Sequence, residues 1–279
     1  MSQSPEIAEK ILVTTYNLAM NPEGSLVPYE SCQLPSGPWV VFAPHADDET
    51  FGMGGALRLA SDNGIQIHVV VLTDGALGGS AGADAESLVA ERQREVRAAC
   101  AVLGVSSVET WPNADRGLAL DDQLIGQIET VISRYKARTV FFPSVLELHP
   151  DHRATAVLVW AALQRIYQQA WHGDLPQPWS YEISVQSPVN RLLDITNVLQ
   201  QKCQAMDVYA SQNSQNNYPE LILALNKART FSLPAHVSHA EGFYYYPVEA
   251  LARDLPAAAR TALERYFEGM ETKPGQRAS

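Results

Sequence analysis

Trp39-Val40-Val41-Phe42-Ala43-Pro44-His45-Ala46-Asp47-Asp48-Glu49 is the stretch on which the reading of this chain turns. Its first five residues form a short apolar run rich in aromatic and β-branched side chains, the pattern of a strand buried on both faces. Four titratable residues then follow within five positions, so the strand ends in a cluster able to do chemistry. Downstream, Gly52 to Asn63 reads as a helix closed by Gly64, in the left-handed position that often ends helices. Ile65 to Leu72 repeats the strand pattern, and Thr73-Asp74-Gly75 leads into a glycine-rich loop reaching Gly82.

The alternation continues along the chain. Leu88, Val89, Val96, Ala99, Cys100 and Leu103 mark one face of a helix that stops at Gly104. Val108 to Trp111 is a third strand, and Leu124, Ile125, Ile128, Val131, Ile132 and Tyr135 face inward from the next helix. Thr139 to Pro143 is a fourth strand, followed by a loop carrying His149-Pro150-Asp151-His152. Arg153 to Trp171 reads as a helix and Tyr181 to Gln186 as a fifth strand; from Asp194 onward the pattern is mostly helical, broken at Pro234 to Gly242. Strands alternating with helices imply parallel βαβ units, hence an α/β fold with a mostly parallel sheet and a helical C-terminal region. Both polar clusters follow strands, at the sheet edge where α/β proteins place their ligands.

Composition narrows the function classes. With 279 residues, 46% of them hydrophobic, the chain can bury a core without disulfides, and Cys32, Cys100 and Cys203 stand far apart and odd in number. A net charge of −11 speaks against a nucleic-acid surface. No apolar run reaches the roughly 18 residues of a transmembrane segment, and the start lacks the basic and apolar regions of a signal peptide, so a cytoplasmic protein is expected. Residues 1–37 read as an N-terminal arm with a helix from Pro5 to Met20, residues 38–250 as the main domain, and residues 251–279 as a helix from about Pro256 to Met270 with a frayed tail.

The chemistry is read from the two clusters. Two imidazoles and a carboxylate around an open fourth position make a catalytic zinc site. Candidate ligands lie in His45-x-x-Asp48 and in the second cluster, with Asp47 and His149 spare for moving protons. Pro44-His45-Ala46-Asp47-Asp48-Glu49 resembles the first signature of the PIG-L/LmbE-like deacetylases, and His149-Pro150-Asp151-His152 resembles their second. Thr73-Asp74-Gly75, Arg92 with Glu95, Asp115 to Leu118, Asp194-Ile195-Thr196, Lys202 with Tyr209-x-Ser211-Gln212, and Glu241 with Phe243 extend the likeness over about residues 38–245. It departs at Ala46, where the family usually has proline.

The resemblance implies a Rossmann-like three-layer sandwich and a zinc-dependent N-deacetylase, with iron(II) as the alternative metal. It assigns His45, Asp48 and His152 to the metal, Asp47 to the general base and His149 to the acid or oxyanion stabiliser. Asp151 would orient a neighbouring imidazole, and Glu49 would stand behind the metal ligands. The implied substrate is a small glycoconjugate, an N-acetylglucosamine derivative cleaved to a free amine and acetate; a homo-oligomer is compatible with all of this.

Other features carry two readings each. Arg92 is either a substrate contact or part of a solvated helix face, and Asp115 and Arg116 are candidates to line the pocket. His68 reads as a core histidine, His172, His236 and His239 as loop residues, and Phe243 to Tyr246 as either core packing or a sugar-stacking wall. Gly52-x-Gly54-Gly55 lacks the last position of a dinucleotide fingerprint. The competing functions are a zinc amidase acting on a non-sugar acyl compound, a non-haem iron oxygenase using His45, Asp47 and His152, although such oxygenases are typically all-β, and a binding protein that keeps the site without catalysis.

Overall fold

The computed structural model describes residues 29–79, 84–169 and 175–264. The helix read from Pro5 to Met20, His172 and the chain after Glu264 lie outside the described residues. In chain order the elements are β1 (Glu30–Ser31), β2 (Trp39–Ala43), α1 (Asp48–Asp62), β3 (Ile67–Thr73), α2 (Ala85–Leu103), β4 (Ser107–Asn113), α3 (Asp122–Arg134), β5 (Thr139–Pro143) and α4 (Pro150–Gln169). Then follow β6 (Gln177–Tyr181), β7 (Arg191–Asp194), α5 (Leu199–Asp207), α6 (Ala210–Asn213), α7 (Tyr218–Ala228), β8 (Ala240–Tyr245) and α8 (Leu255–Glu264).

Among the described residues one sheet of eight strands, in the order β1-β7-β8-β6-β5-β2-β3-β4, carries the fold. Only β8 runs against its neighbours, pairing antiparallel with both β6 and β7. The chain runs outward from β2 through β3 to β4, then returns to β5 on the other side of β2. That reversal places a crevice at the carboxyl ends of β2 and β5, the switch point where such sheets bind ligands. Every residue of β2 is buried. Trp39, Val41 and Ala43 join one core with Phe51, Leu57, Val96 and Leu103, while Val40 and Phe42 join the other with Ile128, Val159 and Leu163. Two covered faces explain why β2 reads as a continuous apolar run rather than an alternation. This doubly covered sheet is also not the all-β frame typical of the oxygenases in the competing reading.

Three sequence readings are corrected. The fifth strand is Gln177–Tyr181, pairing with β5 from Thr139↔Gln177 to Pro143↔Tyr181, rather than Tyr181 to Gln186. Beyond Tyr181 the backbone leaves the sheet because the amides of Ile183 and Ser184 donate to the Glu147 carboxylate at 2.8 and 3.1 Å. The helix expected from Gly52 begins at Asp48, so the motif itself forms its first turn. The expected break at Pro234 to Gly242 runs into β8, whose Glu241 and Gly242 hide the strand pattern. Phe243 to Tyr246 belongs to core packing: Phe243 lies 6.0 Å from Phe141 and 6.1 Å from Trp179, and Tyr246 lies 5.0 Å from Trp160. Glu30–Ser31, from the segment read as an arm, adds a parallel edge strand beside β7.

Candidate active site

Pro44 to Asp47 leaves β2 and turns directly into α1. Asp47 sits at φ 133°, and its carbonyl accepts the amides of Thr50 and Phe51 at 3.0 and 2.8 Å. Asp48 therefore enters the first helical turn with its side chain folded back, where Oδ2 accepts the amide of His45 at 2.9 Å. From the other strand, residues 144–149 lead into α4, whose first turn carries Asp151 and His152.

The two clusters meet at Asp48. Its Oδ2 lies 3.1 Å from His45 Nδ1 and 3.3 Å from His152 Nε2. Zinc bonds of about 2.0–2.1 Å arranged tetrahedrally place ligand atoms roughly 3.3 Å apart, so the spacing of each contact suits a divalent metal, although Asp48 is in neither of the groups of described residues whose ligand atoms all lie within 4.8 Å of one another. The far nitrogens are held as well. His45 Nε2 faces Asp151 Oδ2 at 3.2 Å, and His152 Nδ1 faces Glu147 Oε2 at 3.6 Å. Each imidazole thus has one nitrogen toward the shared carboxylate and the other toward a buried acid, the arrangement that orients metal-binding histidines. His152 Nδ1 has no hydrogen-bond partner at this spacing. Ligand atoms of His45, His149 and His152 also approach one another within 4.8 Å, as do those of His45, Asp115, His149 and Asp151.

Charge reinforces the geometry. Burial opposes the charged form of His45, but hydrogen bonds to Asp115, Asp151 and Asp48 outweigh it and hold the imidazole pKa well above its usual value. Burial likewise opposes ionisation of His152, yet Asp48 raises its pKa to about 9. Asp48 itself is pulled well below the usual carboxylate range, burial notwithstanding, by His152 and His45. The acids draw two protons onto the imidazoles, and a divalent cation would take their place.

Asp47 stands apart from this cluster. Burial pushes its pKa up to about 7, against the pull of Arg92. Arg92, only 3% exposed, corrects the solvated-face reading. Its guanidinium donates to Ala46 O at 2.9 Å, Gly75 O at 3.2 Å and Asp47 Oδ2 at 3.3 Å, fastening the motif loop to the loop after β3. Gly75, at φ 65°, has no room for a side chain, since an added Cβ would lie 2.7 Å from the guanidinium. Glu49 stands behind the site as well, accepting from Thr50 Oγ1 at 2.6 Å, from the Tyr209 hydroxyl and from the Asp47 amide at 3.2 Å. It steadies the Asp47 backbone rather than an imidazole.

His149 is half-buried, and its ring centre lies 4.6 Å from that of His45. Its Nδ1 accepts the amide of Asp151 at 3.2 Å, so the neutral ring carries its proton on Nε2. Burial, His45 and His152 lower its pKa. The Asp151 carboxylate contacts His45 Nε2 at 3.2 Å and accepts the Arg116 amide at 2.7 Å. Asp115 Oδ1 lies 3.4 Å from His45 Nε2, and Oδ2 accepts the amide of Leu77 at 3.1 Å. His68, half-buried, bonds Ser107 Oγ at 2.7 Å and stacks on Tyr135, while His239 contacts Ser238; neither lines the site.

Glu147 escaped the sequence reading; its only mark is an acid held between Leu146 and Leu148 after a buried strand. The support beneath α1 escaped it too. The helix breaks at Met53, and Lys202 Nζ takes the freed carbonyl of Phe51 at 3.0 Å. The Glu241 carboxylate accepts the amides of Gly55 and Ala56, each at 2.8 Å. Lys202 and Glu241 are fully buried and paired at 2.7 Å, so each charge repairs one side of the break while neutralising the other.

His45, Asp47, Asp48, Arg92, Asp115, His149 and His152 all line one cavity of about 360 Å³. Residues 40–163 match the family model described as GlcNAc-PI de-N-acetylase. A diacetylchitobiose deacetylase from Thermococcus kodakarensis is 31% identical over 41% of this chain and 45% of its own length. The chain spans about half the length of the first curated relatives it matches. Two solved structures share the fold. N,N'-diacetylchitobiose deacetylase from Pyrococcus horikoshii is 22% identical, with a TM-score of 0.69 over 89% of this chain and 95% of that one. GalB, the 4-carboxy-2-hydroxymuconate hydratase from Pseudomonas putida KT2440, is 24% identical, with a TM-score of 0.65 over 74% and 94%. Over residues 40–163, with the two motifs that meet at Asp48, the chain is similar to the family described as GlcNAc-PI de-N-acetylase.

Proposed function

We propose that the protein is a metal-dependent N-deacetylase that hydrolyses an N-acetylglucosamine-type conjugate to a free amine and acetate. The observation that carries the reading is the meeting of His45 and His152 on one oxygen of Asp48, with Asp47 and His149 beside them in the same cavity. His45, Asp48 and His152 would hold the metal, zinc by its nitrogen and carboxylate donors, with iron(II) as the alternative. When bound, it supplies Lewis acidity, bringing water ionisation to about neutral pH and polarising the amide carbonyl.

The remaining steps belong to the chain's own residues. Asp47, poised near neutrality by burial, accepts a proton from the attacking water. His149 directs its Nε2–H at the oxygen that gains charge, and the proton that Asp47 took from the water passes to the departing nitrogen. The carbon–nitrogen bond breaks, leaving acetate and a neutral amine. Asp151 and Glu147 keep His45 and His152 oriented, and Arg92 acts on the substrate through Asp47. Asp115, whose Oδ1 lies 3.4 Å from His45 Nε2 and which lines the cavity, is assigned to a substrate hydroxyl.

The match to a family described by N-acetylglucosamine, joined to a 31%-identical diacetylchitobiose deacetylase, supports the sugar assignment. A net charge of −11 supports a small-molecule substrate over a nucleic acid. The free thiols of Cys32, Cys100 and Cys203 suit the reducing cytoplasm, and among the described residues no helix is long and apolar enough to cross a membrane. Acetate release by the metal-loaded protein, measured against a panel of N-acetylglucosaminyl conjugates and N-acyl amino acids, tests the proposal. Cleavage of the N-acyl amino acids alone would hand the site to the amidase reading. Since a hydratase shares this fold, water addition to an unsaturated acid without acetate release would overturn both.

A further inference from the structure

The cavity has two unlike sides. Its floor carries the titratable groups described above, whereas its wall is Phe51, Ile183, Tyr218, Leu221, Ile222 and Leu225. Four of these fall at the i, i+3, i+4, i+7 spacing of α7, so one apolar stripe of that helix faces the cavity. Ile222 is buried and Tyr218 and Leu225 pack against the core, but Leu221 on the same stripe is 51% exposed, and Leu77 on the rim is 56% exposed. Wall and floor are continuous. Phe51 lies one helical turn after Asp48, and its ring centre is 5.9 Å from that of Tyr218.

An N-acetylated hexosamine alone does not call for such a wall. Its acetyl methyl needs contact over one carbon, and its hydroxyls need donors and acceptors. The amides on this side are already engaged, with Gln212 and Gln215 both donating to Gly78 O, at 3.2 and 2.6 Å. Apolar side chains left half-exposed beside catalytic groups are the signature of a surface that a ligand covers.

Building on the deacetylase reading, we infer that the substrate carries an aliphatic group on its acceptor end. It lies along α7 between Leu77 and Leu225 while the N-acetyl group rests on the floor. Each methylene buried there strengthens binding by about three- to fourfold.

The test compares methyl, butyl and hexyl N-acetylglucosaminides with the metal-loaded protein, below the concentrations at which they form micelles. KM is expected to fall at least tenfold from methyl to hexyl (roughly, from the per-methylene gain) with kcat little changed. Leu221→Ser and Leu77→Ser, both at half-exposed positions that the fold tolerates, should bring the methyl-to-hexyl ratio toward one. Calorimetric binding of methyl and hexyl glucosaminide, which have no acetyl group to lose, reads the wall independently of turnover. KM and binding that ignore chain length overturn the inference and leave the deacetylase standing. Binding that strengthens with chain length while no acetate is released keeps the inference and removes the deacetylase. A chain-length effect undiminished in both variants overturns the placement along α7.

Discussion

Residues 44–49 and 149–152, which make the cavity floor, follow two adjacent parallel strands, β2 and β5. Most of the wall comes from later in the chain, from Ile183 in the bend after β6 and from α7. On the floor, nearly every polar side chain is held by two or more directional bonds, as Asp48 is by the His45 amide and two imidazoles. The wall is held by packing, and a leucine there can change without stranding a buried charge. Under the proposed function, chemistry is fixed by residues up to 152, and acceptor choice falls to the packed wall that comes later in the chain.

Changes to the floor should break activity at the metal or at the proton, and the largest effect comes first. Stripping the metal with a chelator should reduce acetate release to background, and zinc should restore it; Asp48→Ala should lose metal and activity together, as measured by metal content after gel filtration. Asp47→Asn should keep the metal and lose roughly 10² to 10⁴ in kcat, because only the proton acceptor is gone. A metal-free but folded Asp47→Asn would show that ligand and base have been exchanged. Glu147→Gln sharpens the comparison further. It stands behind His152 and also holds Ile183, where floor meets wall. Metal affinity, measured by competition with a chelator, should weaken about 10- to 100-fold.

The floor was largely legible in the sequence because titratable residues crowded at the end of a buried strand are costly to a fold unless they bind or react with something. Trp39–Ala43 and Thr139–Pro143 read correctly because both carry apolar character on both faces. What was not legible depended on distant partners. Glu241 looks like a strand breaker until Lys202 and the open amides of α1 are seen around it. Arg92 looks like one charge among many on a helix until two carbonyls and Asp47 claim it. The end of β6 was set by Glu147, 36 residues away from Ile183, and local periodicity cannot report such a bond.

The backbone of Asp47 has a consequence of its own. At φ 133° it occupies a region that residues with a Cβ rarely adopt, a conformation costing of order 1–3 kcal/mol. Replacing an ordinary residue by glycine rather than alanine normally destabilises a fold. Here the order should reverse: with the carboxylate removed in both, Asp47→Gly should resist urea better than Asp47→Ala, by about 1 kcal/mol after the entropic penalty of glycine. If alanine proves the more stable, the turn is relaxed. If glycine does, this chain spends part of its folding free energy on holding its proton acceptor in a shape the backbone would otherwise abandon, and its most active form is not its most durable one.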